Sequence, residues 1–570
     1  MVIKKNRKIA YFSMEIAMDS DIPTYSGGLG VLAGDTVRSA ADLEIPLVAI
    51  TLCYDKGYFY QQISPEGYQV EKEVRWEFSK EFEPVPKIIE IKIQGKPVKV
   101  GAWKYSVIGK TGWEIPVYLL DTEVPQADGM EWAKNFTHVL YDATPFQRCV
   151  QETLLGIAGP KLLDELGYSG LNTYHLNEGH ASFLTLYLLK KLKDEEEVKK
   201  RCIFTTHTPV PAGHDKFEYS LIQDVLRDYV PPNIKDYAGE DKLNMTKLAI
   251  HFTRYVNAVA QMHGKVSREM FPGVEIDAIT NGVHSRFWTN EYLAELLDEF
   301  TNEGTPITES WFDKVWKIDP DDIWEAHEKA KYDLIDYQKS HSSTLFEEEI
   351  LTIGFARRVT GYKRPTLIFN NLEELARIAK NKIQFIFAGK AHPRDDQGKG
   401  FIKEIHDKAD ELWHSYRIKV CFLGHYDMDL AKMMVSGCDV WLNNPRRYRE
   451  ASGTSGMKAS HNGVLNLSIL DGWWIEGYQM DPKAGWAIGP APGESGADEN
   501  NDDLAAKRIY KLLEEKVVPI FYYNRNEWVD RMRHAVGLGK FFNTNRMVSE
   551  YAKRAWNLEE SPRWISRVNL

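Results

Sequence analysis

The chain has 570 residues, 43% hydrophobic and 27% charged, ordinary proportions for a globular protein long enough for two or more domains. Its net charge of −11 argues against nucleic acid or an anionic membrane as a bulk partner. No apolar run approaches a membrane span, the start MVIKKNRKIAYF lacks a secretory core, and five scattered cysteines (Cys53, Cys149, Cys202, Cys421, Cys438) form no CxxC pair; a cytoplasmic protein with reduced thiols and no metal site is expected.

Lys8 to Met14 reads as a first buried strand. A glycine loop follows, Tyr25-Ser26-Gly27-Gly28-Leu29-Gly30-Val31-Leu32-Ala33-Gly34-Asp35, opening a helix over Val31 to Leu43. Glycines at a strand's end let the backbone approach a phosphate or sugar, but the spacing is not that of a dinucleotide fingerprint. Leu47 to Cys53, Val117 to Asp121 and the alternating Ile88 to Val100 are further strands, the last suggesting an antiparallel excursion.

Helical spacing covers Thr144 to Leu166. Asn172 to Ala181 then runs from strand into a helix, Ala181 to Leu192, which puts His180 at a helix N-terminus. A charged imidazole is disfavoured there, so a neutral donor or acceptor is expected. The run Lys190 to Arg201 reads as a solvated helix end and loop. The strand Cys202 to Thr206 ends in the rigid loop His207 to Asp215, beyond a strand's carboxyl end, where open α/β sheets bind ligands. Asp277 to Thr280 ends in Asn281-Gly282-Val283-His284, and a domain boundary is placed near residues 282–290.

The second half repeats the rhythm, with strands at Ile350 to Ala356, Ile383 to Ala388, Ile418 to Leu423, Asp439 to Asn443 and Val464 to Ile469. Such runs alternating with helices predict a parallel, doubly wound sheet. The loop Arg357-Arg358-Val359-Thr360-Gly361-Tyr362-Lys363-Arg364-Pro365 holds four cations just before a helix; a solvated basic loop is the alternative, but a phosphate pocket fits better at a strand's carboxyl end in a protein acidic elsewhere. Gly389 to Pro393 is a similar but weaker case.

Glu450-Ala451-Ser452-Gly453-Thr454-Ser455-Gly456-Met457-Lys458 is the stretch around which the rest is arranged. Its small residues between a strand and a helix give a backbone shape able to hold an anion. A helix is expected over Ala459 to Leu470, although Val464 to Ile469 also reads as a strand. Lys458 then falls in the first helical turn, where the dipole repels a cation; an imine to a carbonyl cofactor resolves the misfit, and a tight turn ending in a solvated lysine is the alternative. Asp471 to Glu476 is expected to line a cleft or supply core tryptophans, and Pro490 to Asp503 to form a mobile surface loop.

These motifs, YSGGLGVLAGD, HLNEGHA, ITNG, RRVTGYKR, FAGKAHP and EASGTSGMKASHNGVLNLSILDG, resemble in order those of the α-glucan (glycogen, starch or maltodextrin) phosphorylase family, from about residue 9 to residue 480. The resemblance implies an α/β protein of two Rossmann-like domains facing across a cleft (GT-B): residues 1–284, residues 285–545, and terminal helices over 546–570 packing back on the first domain. It implies retaining phosphorolysis of α-1,4-glucans at the non-reducing end, giving α-D-glucose 1-phosphate, with pyridoxal 5′-phosphate as cofactor. The rival readings are a nucleotide-sugar-dependent glucan synthase and a non-catalytic glucan-binding relative.

Residue by residue, Lys458 matches the lysine that holds pyridoxal phosphate as a Schiff base, and Ser452, Gly453 and Thr454 the turn around its phosphate and the glucose site. Arg357 stands for a lysine beside that phosphate. Arg358 and Lys363 match the pair binding substrate phosphate, and Gly27 and Gly28 the glycine loop facing the phosphates. His180, Asn281 and Glu450 match residues bonding the glucosyl unit. Thr360 replaces a histidine and Glu178-Gly179 an Asp-Thr pair of larger members. The compact form implies an unregulated enzyme, and family habit a homodimer.

Overall fold

The computed structural model describes residues 6–74, 76, 81–141, 144–299, 309–496 and 500–558, which divide into two compact units. The first comprises residues up to Phe59, Glu73–Thr280 and the segment from Thr544; the second comprises Tyr60–Lys72 and Asn281–Asn543. Of the terminal segment 546–570, residues 559–570 lie outside the described residues.

The first unit is built on a sheet whose parallel strands run, in spatial order, Asp277–Ala278, Tyr255–Ala258, Cys202–Thr205, Thr173–Asn177, Ile9–Ser13, Leu47–Leu52 and Glu114–Asp121. Lys96–Ile108 then pairs antiparallel with Glu114–Asp121, and Ile89–Ile93 with Lys96–Ile108, so the alternating segment forms the antiparallel excursion. Both faces of the central strands are covered: Ala10, Phe12, Val48 and Ile50 enter one core, while Ile9, Tyr11, Leu47 and Ala49 enter another. Double burial explains why these strands read as continuous apolar runs rather than alternating ones. The C-terminal helix Thr544–Glu550 packs on this unit, where Thr544 Oγ1 lies 2.6 Å from Ser39 Oγ. Beyond it, Asn257 Nδ2 donates to Tyr551 Oη at 2.9 Å and Trp556 Nε1 to His175 Nδ1 at 3.2 Å.

The second unit holds a six-stranded, wholly parallel sheet in the order Val420–Leu423, Ile383–Ala388, Leu351–Ala356, Val440–Asn443, Leu465–Ile469, Gly485–Ile488. Numbered along the chain this is 3-2-1-4-5-6, the dinucleotide-type order whose direction reverses between its first and fourth strands. The first unit has the same reversal, between Ile9–Ser13 and Thr173–Asn177. Each unit is therefore Rossmann-like, and each sheet has a switch point where ligands bind beyond the strand ends. Beneath the second sheet, buried Asp439 takes Lys331 Nζ at 2.7 Å and His327 Nε2 at 2.9 Å, fastening the helix Pro320–His341.

Three local expectations are corrected. Lys190 to Arg201 is not merely a helix end and loop: a separate helix, Glu195–Arg201, starts where Asp194 caps the amides of Glu196 and Glu197. The helix after the small-residue turn is Thr454–His461, not Ala459 to Leu470; Gly463, at φ 74°, ends it in a left-handed turn and the next strand begins at Leu465. The loop placed over Pro490 to Asp503 gives way at Asp502 to a helix, Asp502–Leu512, and Asp502 pairs with Arg364 and Arg446 at 3.0 and 2.9 Å; residues 497–499 lie outside the described residues. Trp473 and Trp474 are core, at 1% and 0% exposure. All five cysteines are buried and free.

Candidate active site

In the second unit the switch point lies between Leu351–Ala356 and Val440–Asn443, and the residues following those strands meet there. Arg357 donates through Nη1 to Asn443 and through Nη2 to Glu450 Oε2 at 2.6 Å. Lys363 Nζ lies 3.0 Å from both carboxylate oxygens of Glu450. The two loops are tied by backbone: Arg446 N–H donates to Tyr362 O at 2.7 Å, and Asn444 Nδ2 to Arg364 O at 2.8 Å. Burial alone would raise the Glu450 carboxyl, but Arg357 and Lys363 outweigh it and hold its pKa below the usual range. Arg358 is exposed on the same loop, whereas Arg357, Lys363 and Arg364 are buried. Arg364 is structural: its guanidinium donates to the carbonyls of Asn444 and Pro445, both at 2.9 Å.

Glu450 is presented by a strained turn. Its N–H donates to Asp471 Oδ2 at 3.1 Å, and the Ser452 carbonyl accepts from Trp473 N–H at 2.9 Å. Gly472 must be glycine, because at φ 53° a Cβ would lie 2.3 Å from Ser452 O. Gly453, at φ 87°, opens the helix Thr454–His461.

Lys458 is the fifth residue of that helix and not in its first turn, so the dipole argument for a neutral amine does not apply at this depth. It is set apart by burial instead: it is 8% exposed, and its Nζ sits 3.7 Å over the Trp288 ring. Asn462 fixes that platform, donating to the carbonyls of Trp288 at 2.8 Å and Lys458 at 2.9 Å. Ser452 Oγ on the turn, and Arg357 Nε and Thr360 Oγ1 on the basic loop, are buried without a hydrogen-bond partner within the protein. Two hydroxyls, a guanidinium N–H and, one turn into the glycine-opened helix, a buried primary amine are a donor set that fits a phosphorylated aldehyde. Asn281 is buried where the chain enters this unit.

In the first unit the switch point is marked by Asn177 Nδ2, which donates to Ser13 Oγ at 3.0 Å. Glu15 Oε2, just beyond the first strand, accepts from the N–H groups of Ser26 at 2.5 Å and Gly27 at 3.3 Å, and Oε1 accepts from Tyr141 Oη at 2.6 Å. Gly30 is explained by this carboxylate, which a Cβ there would approach to 2.7 Å. A Cβ at Gly27 or Gly28 meets no atom within 4 Å, so packing within the protein does not demand glycine at either. Beyond the fourth strand, Glu178 (φ 73°) accepts from Gly179 N–H at 2.9 Å, His207 N–H at 2.7 Å and Thr208 Oγ1 at 3.0 Å. This frame holds His180 in a short 3-10 turn, Gly179–Ala181, with the Tyr141 ring 5.7 Å away. Burial, with Arg148 adding, brings the His180 pKa down to about 3, so the imidazole is neutral.

The structure thus gathers Arg357, Lys363, Glu450 and, around the same turn, Ser452, Gly453, Thr454 and Lys458 in the second unit, and Gly27 and Gly28 near Glu15 and His180 near Glu178 in the first. Sequence reasoning missed Glu15, Trp288 and Asn443, and reached Asp471 and His207 only as members of ligand-lining loops; His207 donates through Nε2 to Asn177 at 2.7 Å. His207 had a usable signal, its place at the head of a Pro-rich loop after a strand; the others had none stronger than proximity to a strand end. Among the described residues no group of three or more His, Cys, Asp or Glu is placed to hold a metal ion, and no helix is long and apolar enough to cross a membrane.

Residues 231–480 match the model of the carbohydrate phosphorylase family. The maltodextrin phosphorylase of Thermococcus litoralis is 39% identical, over 97% of this chain and 71% of its own length. The glycogen phosphorylase of Aquifex aeolicus is 35% identical, over 97% of this chain and 86% of its own. An uncharacterized protein of Methanocaldococcus jannaschii is 31% identical and matches over 96% of this chain and 99% of its own length. With the two Rossmann-like units and likeness of this extent, the chain belongs to the carbohydrate phosphorylase family.

Proposed function

We propose that the protein is an α-glucan phosphorylase, a glycosyltransferase that carries a glucosyl unit from the non-reducing end of an α-1,4-glucan to inorganic phosphate and releases α-D-glucose 1-phosphate, reversibly. The reading is supported by relatives named maltodextrin and glycogen phosphorylase and, in the chain itself, by the Arg357–Glu450–Lys363 cluster at the switch point of the second unit. That cluster is the observation carrying the proposal: three buried charges beside a glycine-opened turn form a site whose internal anion can exchange for phosphate.

Pyridoxal 5′-phosphate is the cofactor this reading requires, with Lys458 as its covalent anchor and Arg357, Ser452, Gly453 and Thr454 around its phosphate. When bound it supplies a second phosphate group able to exchange a proton with the substrate phosphate.

Arg358 and Lys363 bind the substrate phosphate. Lys363 must then share or surrender Glu450, which frees the Glu450 carboxylate to accept from a glucosyl hydroxyl. Substrate phosphate gives a proton to the glycosidic oxygen as the bond from C1 to that oxygen breaks; a C1–O bond to phosphate forms on the same face, giving retention. Cations preorganised in a low-dielectric site hold charges that would repel strongly without them. Asn281, Ser452 and Gly453 of the second unit bond the sugar; in the first unit, neutral His180 offers the glucan a hydrogen bond and Gly27 permits close approach of backbone N–H. No pair of carboxylates is needed as acid and base, which separates this chemistry from glycoside hydrolysis.

The experiment is release of glucose 1-phosphate from maltodextrin with and without phosphate, alongside the absorbance of the purified protein before and after borohydride. Phosphate-dependent release and a reducible chromophore support the reading. Glucan extension from a nucleotide sugar without that chromophore would overturn it.

A further inference from the structure

We infer that Asp215, itself held by Arg148, is a positioning residue that fixes the tautomer and orientation of the His180 ring so that its Nδ1 faces the bound glucan as a hydrogen-bond acceptor. The inference rests on the proposed function only for the identity of the hydroxyl that Nδ1 receives.

The geometry is a chain of charged side chains in the first unit, in which Glu152 is fully buried, Arg148 mostly buried and Asp215 a third exposed. His180 Nε2 lies 3.5 Å from Asp215 Oδ2. Arg148 Nη2 donates to the same oxygen at 2.7 Å, and Arg148 Nε lies 3.0 Å from Glu152 Oε1, one helical turn on. The Tyr141 ring covers the Arg148 guanidinium at 4.4 Å, and its hydroxyl is engaged by Glu15. Arg148 and Glu152 stand on the helix Pro145–Thr153, capped by Thr144. Asp215 is anchored through its carbonyl, which accepts from Met245 N–H at 3.1 Å.

The protonation states follow from this arrangement. Burial and the Asp215 charge push the Glu152 carboxyl well above its usual range, against Arg148, so it is neutral. Burial opposes ionisation of Asp215 too, but the Arg148 charge, with a hydrogen bond from Glu152, outweighs it and holds the carboxyl well below its usual range. The cluster therefore balances as one guanidinium and one carboxylate beside a neutral imidazole. A carboxylate next to Nε2 selects the Nε2–H tautomer, which leaves the lone pair on Nδ1. That atom is buried and has no partner within the protein. A buried acceptor left so costs free energy unless a ligand donor meets it.

The test uses the full chain with ¹⁵N-labelled histidine, reading the His180 tautomer by long-range ¹H–¹⁵N correlation, together with separate KM values for maltodextrin and phosphate. The Nε2–H form is expected in the wild type, and loss of that preference in Asp215→Ala. The maltodextrin KM of this variant should rise ~10-fold, as for a buried hydrogen bond removed, with the phosphate KM unchanged. Asp215→Asn keeps an acceptor oxygen and should restore both the tautomer and most of the affinity. If Asp215→Ala does not fold, Arg148→Met combined with Asp215→Leu removes both charges together and is read the same way. An Nδ1–H tautomer in the wild type, or an unaltered maltodextrin KM in a folded variant lacking Asp215, overturns the inference. Absence of glucose 1-phosphate release by the wild type would instead refute the functional reading, and the tautomer alone would then decide this one.

Discussion

Lys363 Nζ stands equidistant, at 3.0 Å, from the two carboxylate oxygens of Glu450, so the cation assigned to substrate phosphate is already neutralised by a residue assigned to the sugar. Arg357 shares the same carboxylate at 2.6 Å. Replacing Glu450 by Gln leaves two buried cations around one neutral amide, and breaking a buried pair in this way costs about 3–5 kcal/mol. Inorganic phosphate should return much of that loss by binding where the carboxylate was. The expected result is a lower melting temperature for Glu450→Gln, with a larger phosphate-induced rise than in the wild type at matched ionic strength. Equal phosphate effects on the two proteins would show that the anion does not enter this cluster. Phosphorolysis should fall sharply in the same variant.

Lys458→Arg keeps a cation able to lie over Trp288 but cannot form a covalent link to an aldehyde. The variant should fold, lose the borohydride-reducible chromophore and lose phosphorolysis together. Intact mass after reduction is the check: the wild type should carry one added cofactor and the variant none. Activity persisting in an unmodified Lys458→Arg protein would remove Lys458 from the mechanism.

Much of the fold was legible because both sheets are buried on two faces, which makes strands such as Ile383–Ala388 and Leu351–Ala356 stand out as short apolar runs between helices. The loops at their carboxyl ends could be located for the same reason, and Arg357, Lys363 and Glu450 lie at those ends. What failed was anything set by a distant partner. Nothing near Asp215 in sequence points to Arg148, 67 residues away. Lys458 lies a turn deeper than expected because Gly453, at φ 87°, opens the helix at Thr454, and Gly463 stops it short of Leu470. Glu15 follows a strand, like many solvated carboxylates, and only the folded turn shows it accepting from Ser26 and Gly27.

The hairpin Tyr60–Ile63 with Gln69–Lys72 lies in sequence between two stretches of the first unit and yet belongs to the second. Two glutamines explain its attachment. Gln61 Nε2 donates to Gly389 O at 2.8 Å, and Gln69 both donates to Ala391 O and accepts from Ala391 N–H, each at 3.0 Å. They bracket Lys390, whose carbonyl takes the Val359 N–H at 3.0 Å, so the hairpin braces the basic loop through Lys390. Gln61→Leu or Gln69→Leu should each cost ~1–3 kcal/mol by stranding buried backbone groups, and the pair should cost less than the sum. Hydrogen exchange of the Gly389 to His392 amides should accelerate, and the phosphate KM should rise more than the maltodextrin KM. Unchanged exchange in that loop would mean the hairpin is only a surface cover.

Asp471 supplies a pH dependence whose sign can be worked out. Burial, reinforced by the Glu450 charge and opposed by the N–H groups of Glu450 and Gly472, lifts its carboxyl to about 7. The folded protein therefore holds this proton more tightly than the unfolded chain, whose carboxyl titrates near ~3.9. Stability from this residue is full below that lower value, declines as pH rises toward 7, and levels off above it. Asp471→Asn cannot titrate and should flatten that decline. Between pH 5 and pH 8 the wild type should lose about 1–3 kcal/mol more than the variant, measured as the difference in denaturant-induced unfolding of the second unit. Parallel pH profiles for the two proteins would mean that the Glu450 and Gly472 N–H groups keep Asp471 ionised throughout. The carboxylate would then be a permanent anchor for the turn that presents Glu450, and not a group that loosens it as the proton is held.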